Sequence, residues 1–455
     1  MTSVLARLVA ALGERVDTSA PSLAEARADK SGHRAAGTPI AVVRARSVAD
    51  VQETMRIAHD TGTPVVVRGA GTGLAGGAGT GDGEISLSLR AMDRLLEVRS
   101  DDLLAVVEPG ILNADLNSRL ADHGLWWAPD PASRDISTVG GNIATGAGGL
   151  LCAKYGVVRD AVLGLDVVLA DGRLISVGHR SVKGVTGYDL TALMIGSEGT
   201  LGVVVGATLK LRRLIPGETR TLTATFSSIR DAAAGAAAVT AAGWQPSIME
   251  LMDATSLRAV HALLGLPDPG PAAAQLTVQT DGTGAALEQQ AIADVLAGAG
   301  GYVRLAADDA EAAQLWRVRR AMHPAMESLG TALIEDVSVP RSALPAMFDE
   351  IERIERTYGL TIPVVCHAGD GNLHPNFIFD GDEVPAVIWQ AADDLFRSAI
   401  RLGGTLTGEH GVGVLKRRWL ADELGADQWD LQRGIKAVFD PTGILNPGKV
   451  FDPQP

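Results

Sequence analysis

The sequence contains very little cysteine and few aromatic residues. Cys152 and Cys366 are its only cysteines in 455 residues, which is too few for the four thiolates of an iron–sulfur cluster. So few thiols suit a reducing compartment, and we expect a cytoplasmic protein. Apolar runs are also short: the alanine-rich stretch 233–240 falls far below the roughly 20 residues that span a bilayer. Iron–sulfur chemistry and a transmembrane helix are therefore excluded at this stage.

Positive charge is in the minority. The 40 Lys and Arg against 54 Asp and Glu leave a net charge of −14, which repels phosphate backbones and argues against nucleic acid as a partner. Hydrophobic residues at 46% and charged residues at 21% are typical of globular proteins, so intrinsic disorder, collagen and coiled coil are excluded. The amphipathic N-terminus lacks a small-residue cleavage site, and we expect it to belong to the mature fold.

The length and the order of elements predict two domains in an α+β fold. A helical segment over 1–38 precedes a first domain over 39–217, in which a capping-box pattern at Ser47–Asp50 opens one helix and a second helix at 113–123 interrupts short strands. In a second domain over 218–439, longer helices alternate with strands, and one of the helices spans 308–329. This alternation favours an antiparallel sheet. The tail 440–455 has rigid turn chemistry.

The high glycine content, 53 residues, is concentrated in loops that can approach a large ligand. The apolar strand 65–67 leads straight into Arg68-Gly69-Ala70-Gly71-Thr72-Gly73-Leu74-Ala75-Gly76-Gly77, where bare backbone N–H groups can surround a diphosphate. A Rossmann loop would continue into a helix, but here more glycines and a strand follow. A plain surface turn is the alternative, and the length of the loop favours a phosphate-binding role.

Two further blocks of small residues follow, STVGGNIATGAGG at 137–149 and IGSEGTLG at 195–202. Together with RGAGTGLAGG and YDLTALMIGSEGTLGVV, they resemble the FAD-binding domain of vanillyl-alcohol-oxidase-type flavoproteins. The resemblance spans about 39–450 and is strongest to the branch of D-lactate dehydrogenase, the glycolate oxidase flavoprotein subunit and D-2-hydroxyglutarate dehydrogenase. It implies a two-subdomain FAD-binding domain at 39–217, a substrate- and metal-binding cap at 218–439, and a tail that packs back near the flavin.

The resemblance also implies which residues bind FAD. At the diphosphate they are Arg68, Gly69, Ala70, Gly71, Thr72, Gly73, Gly76 and Gly77. Around the rest of the cofactor they are Pro129, Ser137, Thr138, Gly140, Gly141, Ala144, Glu198, Gly199, Gly202, Val204 and, in the tail, Asn446. Some relatives attach FAD through a histidine in the first loop. Because this loop has none, we predict a non-covalent flavin.

A second constellation combines histidines with a glutamate. His367 and His374 bracket a Gly-Asp-Gly turn, and glycines flank Glu409 and His410. Two histidines and a carboxylate with an open position are typical of catalytic zinc, and manganese or iron would also accept them. Histidines that merely complete core hydrogen bonds are the alternative. In the family, the positions matching His367, His374 and Glu409 bind the metal, and the position matching His410 is the catalytic base.

A carboxylate-binding residue is predicted in the helix over 308–329. Trp316, Arg319 and His323 recur at i, i+3 and i+7, so one face should carry all three. An arginine fork suits a substrate carboxylate, although an ion-paired surface arginine is equally compatible with the spacing. Relatives place a substrate-binding arginine where Arg319 falls. We predict substrate contacts from Arg319, His323, Asn376 and His410.

The substrate prediction is a short D-2-hydroxy acid, D-lactate or glycolate, oxidised to the 2-oxo acid. Relatives acting on D-2-hydroxyglutarate carry a lysine where Ile334 aligns, and an apolar residue cannot pair a second carboxylate; D-2-hydroxyglutarate dehydrogenase is the alternative. His410 would take the hydroxyl proton while the Cα hydride passes to the flavin.

A zinc hydrolase and a non-catalytic flavin-binding subunit are alternatives of other classes. An external acceptor, namely a quinone, a cytochrome or an electron-transfer flavoprotein, is expected, and a homodimer is compatible with the sequence.

Overall fold

The computed structural model describes residues 3–381 and 383–452 and divides into two compact units. Unit 1 consists of the described residues up to Gly149, of Gly156–Leu214, and of the described residues from Glu409 onward. Unit 2 consists of Leu150–Tyr155 and Ile215–Gly408. The segment 409–439, which the sequence assigned to the second domain, therefore groups with unit 1. The remaining boundaries of the predicted segments stay predictions.

Helices and strands are interspersed along the whole described chain. The helices are α1 (Val4–Leu12), α2 (Ala20–Ala26), α3 (Val48–Thr61), α4 (Asn113–Ala121), α5 (Val139–Thr145), α6 (Cys152–Tyr155), α7 (Leu190–Met194), α8 (Ile229–Ala241), α9 (Ala254–Leu264), α10 (Ala285–Gly298), α11 (Asp309–Arg320), α12 (Met322–Glu327), α13 (Leu344–Tyr358), α14 (Ala386–Arg401) and α15 (Leu420–Phe439). The strands are β1 (Val16–Asp17), β2 (Ala41–Arg44), β3 (Val65–Arg68), β4 (Ile85–Ser88), β5 (Leu95–Arg99), β6 (Leu104–Val107), β7 (Leu125–Trp126), β8 (Val162–Val168), β9 (Leu174–Gly178), β10 (Val203–Lys210), β11 (Arg212–Arg213), β12 (Glu218–Phe226), β13 (Ile248–Asp253), β14 (Ala274–Gly282), β15 (Tyr302–Leu305), β16 (Thr331–Ile334), β17 (Val337–Ser338), β18 (Val364–His367) and β19 (Asn372–Phe379).

Unit 1 contains two main sheets. In the four-stranded sheet, ordered β1-β2-β4-β3, the strands β2, β4 and β3 run parallel. The five-stranded sheet, ordered β5-β6-β10-β8-β9, is antiparallel. The C-terminal segment lies beside β3, where Val65 forms a parallel bridge with Leu445. The glycine loop thus begins at the end of β3, which is flanked by β4 on one side and by the C-terminal segment on the other.

The sequence missed the short helices of unit 1. Within 39–217 only α3 and α4 were predicted, yet α5 and α7 also form. Glycine-rich α5 has poor helix propensity. It begins where the Thr138 side chain accepts a hydrogen bond from the Gly141 N–H at 3.2 Å, and it buries Val139 and Ile143 in the core. Capping and tertiary burial therefore outweigh propensity.

Unit 2 is built on one eight-stranded sheet. Its main order is β15-β12-β14-β13-β18-β19-β16, with β17 also paired to β19, and every pairing is antiparallel. The predicted α+β class with an antiparallel sheet is confirmed. Among the helices of the described residues, none has the length and apolar character needed to cross a bilayer.

The prediction of one continuous helix over 308–329 is wrong. The chain forms α11 and α12, which are separated at Ala321. Pro324 lies in the first turn of α12 and has no N–H to donate to the carbonyl of Arg320, so the regular hydrogen-bond ladder cannot continue there. The helical periodicity that grouped Trp316, Arg319 and His323 does not hold across the break.

Candidate active site

Unit 1 contains a cavity of about 230 Å³ that is lined by all three glycine-rich blocks. His410 and Glu409 line the same cavity. The predicted cofactor residues found in its wall are Gly69, Ala70, Gly71, Thr72, Gly73, Gly77, Thr138, Gly140, Gly141, Ala144, Glu198, Gly199, Gly202, Val204 and Asn446.

The first glycine loop keeps its shape through two glycines and an arginine behind them. Gly71 has a φ of +72°, and a Cβ there would collide with the Arg68 guanidinium. A Cβ on Gly69 would lie 2.5 Å from the Thr138 hydroxyl oxygen. Arg68 itself does not line the cavity; its Nη1 donates to the carbonyls of Ala28 at 2.8 Å and Ala78 at 3.2 Å. Its side chain braces the loop from outside.

Three other predicted cofactor residues also lie behind the wall. The Pro129 carbonyl accepts a hydrogen bond from the Asn113 amide at 2.9 Å. The Ser137 hydroxyl accepts one from the Asn142 amide at 3.1 Å. Gly76 has a φ of +76° and allows the chain to turn. These residues support the wall, and a direct contact with a cofactor stays a prediction for each.

Sequence reasoning missed several residues of the wall. Asp29, from the segment predicted as a separate N-terminal piece, lines the cavity, and its Oδ2 accepts a hydrogen bond from the Ala78 N–H at 3.3 Å. The turn Pro131–Ser133 and Asn142 also line it. Asp130-Pro131 carries an ordinary turn signal, whereas no local pattern pointed to Asp29.

The wall is suited to a dinucleotide with a diphosphate. None of the described lining residues is a lysine or arginine, so backbone N–H groups and hydroxyls would have to bind the phosphates, as in other glycine-rich anion sites. Missing Cβ atoms let the backbone come close: Gly148 faces the Glu409 carboxylate, and Gly140 faces Pro109, at distances that leave no room for a side chain. The residues present fit FAD.

Glu198 is a buried acid in this wall. Its Oε1 accepts a hydrogen bond from the Val412 N–H at 2.7 Å, and its Oε2 accepts one from the Gly413 N–H at 2.8 Å. Burial raises the pKa of this carboxyl to about 7, and the two N–H donors and Lys416 only partly counter that effect. Through these two hydrogen bonds, Glu198 fixes the backbone at Val412 and Gly413, shortly after His410.

In unit 2, the two predicted histidine ligands lie on neighbouring strands. His367 ends β18 and stands opposite Asn372 on β19, while His374 stands opposite Val365. The two imidazole centroids are 5.0 Å apart at an interplanar angle of 82°. Both side chains are buried. Val365 and His367 point to the same face of β18, and partners directly opposite in an antiparallel pair share a face. His374, opposite Val365, therefore lies on the face of His367, and the turn brings the two histidines together.

A third strand contributes a carboxylate to the same face. Glu250 stands opposite His367 in the β13–β18 pairing and is only 1% exposed. Its Oε1 lies 2.7 Å from His367 Nδ1, and its Oε2 accepts hydrogen bonds from Arg319 Nε at 2.7 Å and Nη2 at 2.6 Å. Burial raises the pKa of Glu250, but the charges and hydrogen bonds of His367 and Arg319 outweigh burial and lower it overall.

Asp336 is a second buried carboxylate near these histidines. It is fully buried, and its Oδ1 accepts a hydrogen bond from the Asn372 amide at 2.6 Å. Its Oδ2 accepts bonds from the Thr407 hydroxyl at 2.6 Å and from the Gly408 N–H at 3.0 Å. His374 Nδ1 is 3.9 Å from this carboxylate. Asp336 therefore fixes the backbone one residue before Glu409.

The predicted substrate residues are placed differently from one another. Arg319 is ion-paired with Glu250, whereas His323 lies beyond the helix break with a 63% exposed side chain and pairs with Glu327. The prediction that one helix face carries both is wrong. The Asn376 amide donates to the carbonyls of Pro363 at 3.2 Å and His374 at 2.8 Å.

Glu250 and Asp336 are functional candidates that the sequence analysis passed over. A signal existed, because each is an acidic residue inside an otherwise mostly apolar stretch of the sequence, Ile248–Met252 and Ala332–Val339. A charge in such a stretch is costly unless it has a partner. The partner itself could not be read from the sequence, because Glu250 and His367 are 117 residues apart.

Comparisons with known proteins agree with this geometry. The family described as "FAD linked oxidases, C-terminal domain" matches residues 215–450, and "FAD binding domain" matches residues 39–178. The chain is 40% identical over 422 residues to the glycolate oxidase subunit GlcD of Bacillus subtilis, covering 91% of this chain and 89% of that protein. It is 34% identical over 438 residues to the mitochondrial D-lactate dehydrogenase [cytochrome] of Arabidopsis thaliana, covering 93% of this chain and 75% of that protein.

Solved structures show the same fold at low sequence identity. Substrate-bound p-cresol methylhydroxylase aligns with a TM-score of 0.81 at 18% identity, covering 99% of this chain and 96% of that one. The 4-ethylphenol oxidase of Gulosibacter chungangensis aligns with a TM-score of 0.78 at 19% identity, covering 99% and 97%. The predicted vanillyl-alcohol-oxidase-type fold is confirmed.

Proposed function

Because this chain belongs to the FAD-linked oxidases, we propose that it oxidises a short D-2-hydroxy acid, D-lactate or glycolate, to the 2-oxo acid. The observation that carries the proposal is that His410, an imidazole base, lines the same cavity as the glycine loops. The relatives named glycolate oxidase subunit and D-lactate dehydrogenase support this substrate class. The zinc hydrolase alternative is wrong, because the family is one of FAD oxidoreductases.

His410 is the proposed general base. When bound, FAD supplies the hydride acceptor, so the protein's task is to orient the substrate carbinol and remove its hydroxyl proton. The His410 side chain is only 10% exposed, and its Nε2 is 3.8 Å from the Glu409 Oε1. Such shielding keeps water from competing for the proton. The first glycine loop contains no histidine, so we propose that FAD is held without a covalent bond.

We propose that His367, His374 and Glu409 bind a divalent metal, with zinc favoured and manganese or iron as alternatives. A metal there supplies a Lewis acid for the substrate oxygen. The T-shaped arrangement of the two histidines on neighbouring strands supports this role. Glu409 directly follows Gly408, whose backbone Asp336 fixes.

The proposed preference for a substrate with a single carboxylate rests on Ile334 and Arg319. Ile334 stands opposite Asn376 across the β16–β19 pairing, on the face that also carries His374, and it offers no charge for a second carboxylate. Glu250 engages the Nε and Nη2 edge of Arg319. Because a guanidinium has five N–H donors, the Nη1 side can still bind one substrate carboxylate. These features favour a monocarboxylic acid over D-2-hydroxyglutarate.

The electron acceptor is proposed to be a separate molecule, namely a quinone, a cytochrome or an electron-transfer flavoprotein. The D-lactate dehydrogenase relative is named for a cytochrome, and the B. subtilis relative is named a subunit. A non-catalytic flavin-binding subunit would have no use for His367, His374, Glu409 and His410 together.

The test is anaerobic reduction of the bound flavin. D-lactate or glycolate should bleach the flavin absorbance quickly, and D-2-hydroxyglutarate should do so much more slowly. A clear preference for hydroxyglutarate would overturn the substrate proposal.

His410→Ala should lose at least 100-fold in the reduction rate while FAD stays bound. His123→Ala, at an exposed histidine of unit 1, should reduce normally; near-normal reduction in His410→Ala would remove His410 as the base.

A further inference from the structure

We propose that Glu250 is a positioning residue that sets the tautomer of His367 and so presents its Nε2 for metal binding, while the same carboxylate holds Arg319. The inference rests on the proposed metal site. Glu250 is not one of the proposed metal ligands, is not the proposed base, and is not the proposed substrate-binding arginine. All three side chains belong to unit 2.

The strand register fixes the geometry. Glu250 and His367 are directly opposite each other on adjacent antiparallel strands, so their backbones hold the two side chains side by side. Arg319 comes from α11 and bonds only to Oε2. Oε1 is thereby left to His367. All three residues lie within strands or a helix.

Chemistry then determines the imidazole tautomer. An ionised carboxylate only accepts hydrogen bonds, so the nitrogen that bonds to it must carry a proton. At 2.7 Å, His367 Nδ1 is therefore the protonated nitrogen, and the lone pair of the neutral ring lies on Nε2. A carboxylate in this position both orients a ligating histidine and makes it a better donor to a metal.

Burial explains why the arrangement needs all three groups. An unpaired carboxylate with 1% exposure would be strongly destabilising, and Arg319 supplies the compensating charge. The substrate-binding arginine and the metal-binding histidine are consequently linked through one carboxylate. Any change at Glu250 should affect both.

The experiment compares zinc binding by Glu250→Gln and by wild-type protein, using zinc and a chromophoric competing chelator on the full-length, FAD-loaded chain. A glutamine has one oxygen and one amide, so it cannot accept from both Arg319 and His367. We expect zinc affinity to fall about 10- to 100-fold. Asp281→Asn is the matched control, because Asp281, in the same sheet, also bridges two partners, Lys154 and Tyr155, and this variant should bind zinc like wild type.

Two further measurements separate the possible failures. His367→Ala should abolish zinc binding; if it binds zinc like wild type, the proposed metal site is wrong. If His367→Ala loses zinc but Glu250→Gln does not, the role of Glu250 is wrong. Nitrogen-15 NMR of the metal-free wild type gives an answer even where Glu250→Gln fails to fold, since His367 should be protonated at Nδ1. A neutral ring that carries its proton on Nε2 instead of Nδ1 would overturn the inference.

Discussion

Glu198, Glu250 and Asp336 are acidic residues that lie almost wholly out of water, with exposed fractions of 8%, 1% and 0%. Each accepts hydrogen bonds from a segment that carries a proposed functional residue. Because a buried carboxylate costs free energy unless its oxygens are satisfied, each one is tied to a single arrangement of its partners. Precise placement of the site thus depends on acids that are not themselves the proposed base or ligands.

Glu198 should make stability depend on pH in a defined direction. Its pKa is about 7 in the folded protein, above the ordinary value of 4.5, so the folded state binds this proton more tightly than the unfolded state does. Its contribution to stability is therefore complete below pH 4.5 and declines as pH rises toward about 7, by at most about 1.4 kcal/mol per pH unit.

The measurement is urea unfolding of the FAD-free protein between pH 4.5 and 7.5. Glu198→Gln has no proton to release and should lack this part of the decline. Glu14→Gln, at an exposed glutamate, is the control and should follow wild type. Identical slopes in wild type and Glu198→Gln would contradict the raised pKa.

Gly71 is expected to be required for FAD binding for a steric as well as a conformational reason. Gly71→Ala puts a Cβ at φ +72° and against the Arg68 guanidinium, which should displace the brace and weaken FAD binding at least tenfold. Gly83→Ala has nearly the same φ, +70°, but meets nothing within 4 Å. It should carry only the strain of about 1 kcal/mol and bind FAD normally. Equal FAD affinity in fluorescence titrations of both variants would contradict the bracing role of Arg68.

At the scale of elements, the C-terminal segment completes the site by adding to β3. The Val65 N–H donates to the Ile444 carbonyl at 2.7 Å, and the Asn446 N–H donates to the Val65 carbonyl at 2.9 Å. The Asn446 side chain accepts from the Val67 N–H at 3.1 Å and donates to the Glu198 carbonyl at 2.5 Å. One residue thereby joins the strand before the glycine loop to the third glycine block.

Asn446→Ala should lower both stability and FAD affinity. It leaves two largely buried backbone groups without their partner and puts alanine at φ +44°, so we expect a loss of about 2 kcal/mol in the free energy of unfolding. Thr442→Ala, at an exposed position of the same segment, should change it by less than about 0.5 kcal/mol. Chemical denaturation of both variants checks this, and a Thr442→Ala loss as large as that of Asn446→Ala would contradict it.

At the scale of the whole molecule, the cavity lined by the glycine blocks belongs to unit 1, while the two proposed histidine ligands and Glu250 belong to unit 2. Metal removal should therefore separate cofactor binding from turnover. Dialysis against a strong chelator should leave the flavin spectrum intact and reduce the rate of flavin reduction by the hydroxy acid, and added zinc should restore it. The readouts are flavin absorbance and stopped-flow reduction; a chelated, metal-free protein that keeps its full rate would refute metal assistance.

The sequence alone determined the features that depend on local chemistry. A strand followed by bare glycines, two histidines around a Gly-Asp-Gly turn, and the order of the glycine blocks were sufficient for the family and the FAD cofactor, and the order of helices and strands was sufficient for the α+β class. Side-chain bulk and backbone freedom are properties of consecutive residues, so such patterns can be read without a structure. The prediction of one helix over 308–329 was wrong although Pro324 is visible in the sequence, because side-chain periodicity takes no account of a missing backbone N–H.

Only the tertiary structure decided which side chains meet. Arg319 is bound to Glu250, His323 points to solvent, Arg68 lies behind its loop, and Asp29 reaches the cavity from a distant segment. Each of these outcomes depends on strand register or on packing between residues far apart in the chain. A buried charge must find a partner, but the sequence does not say which of many distant groups is brought within hydrogen-bonding distance.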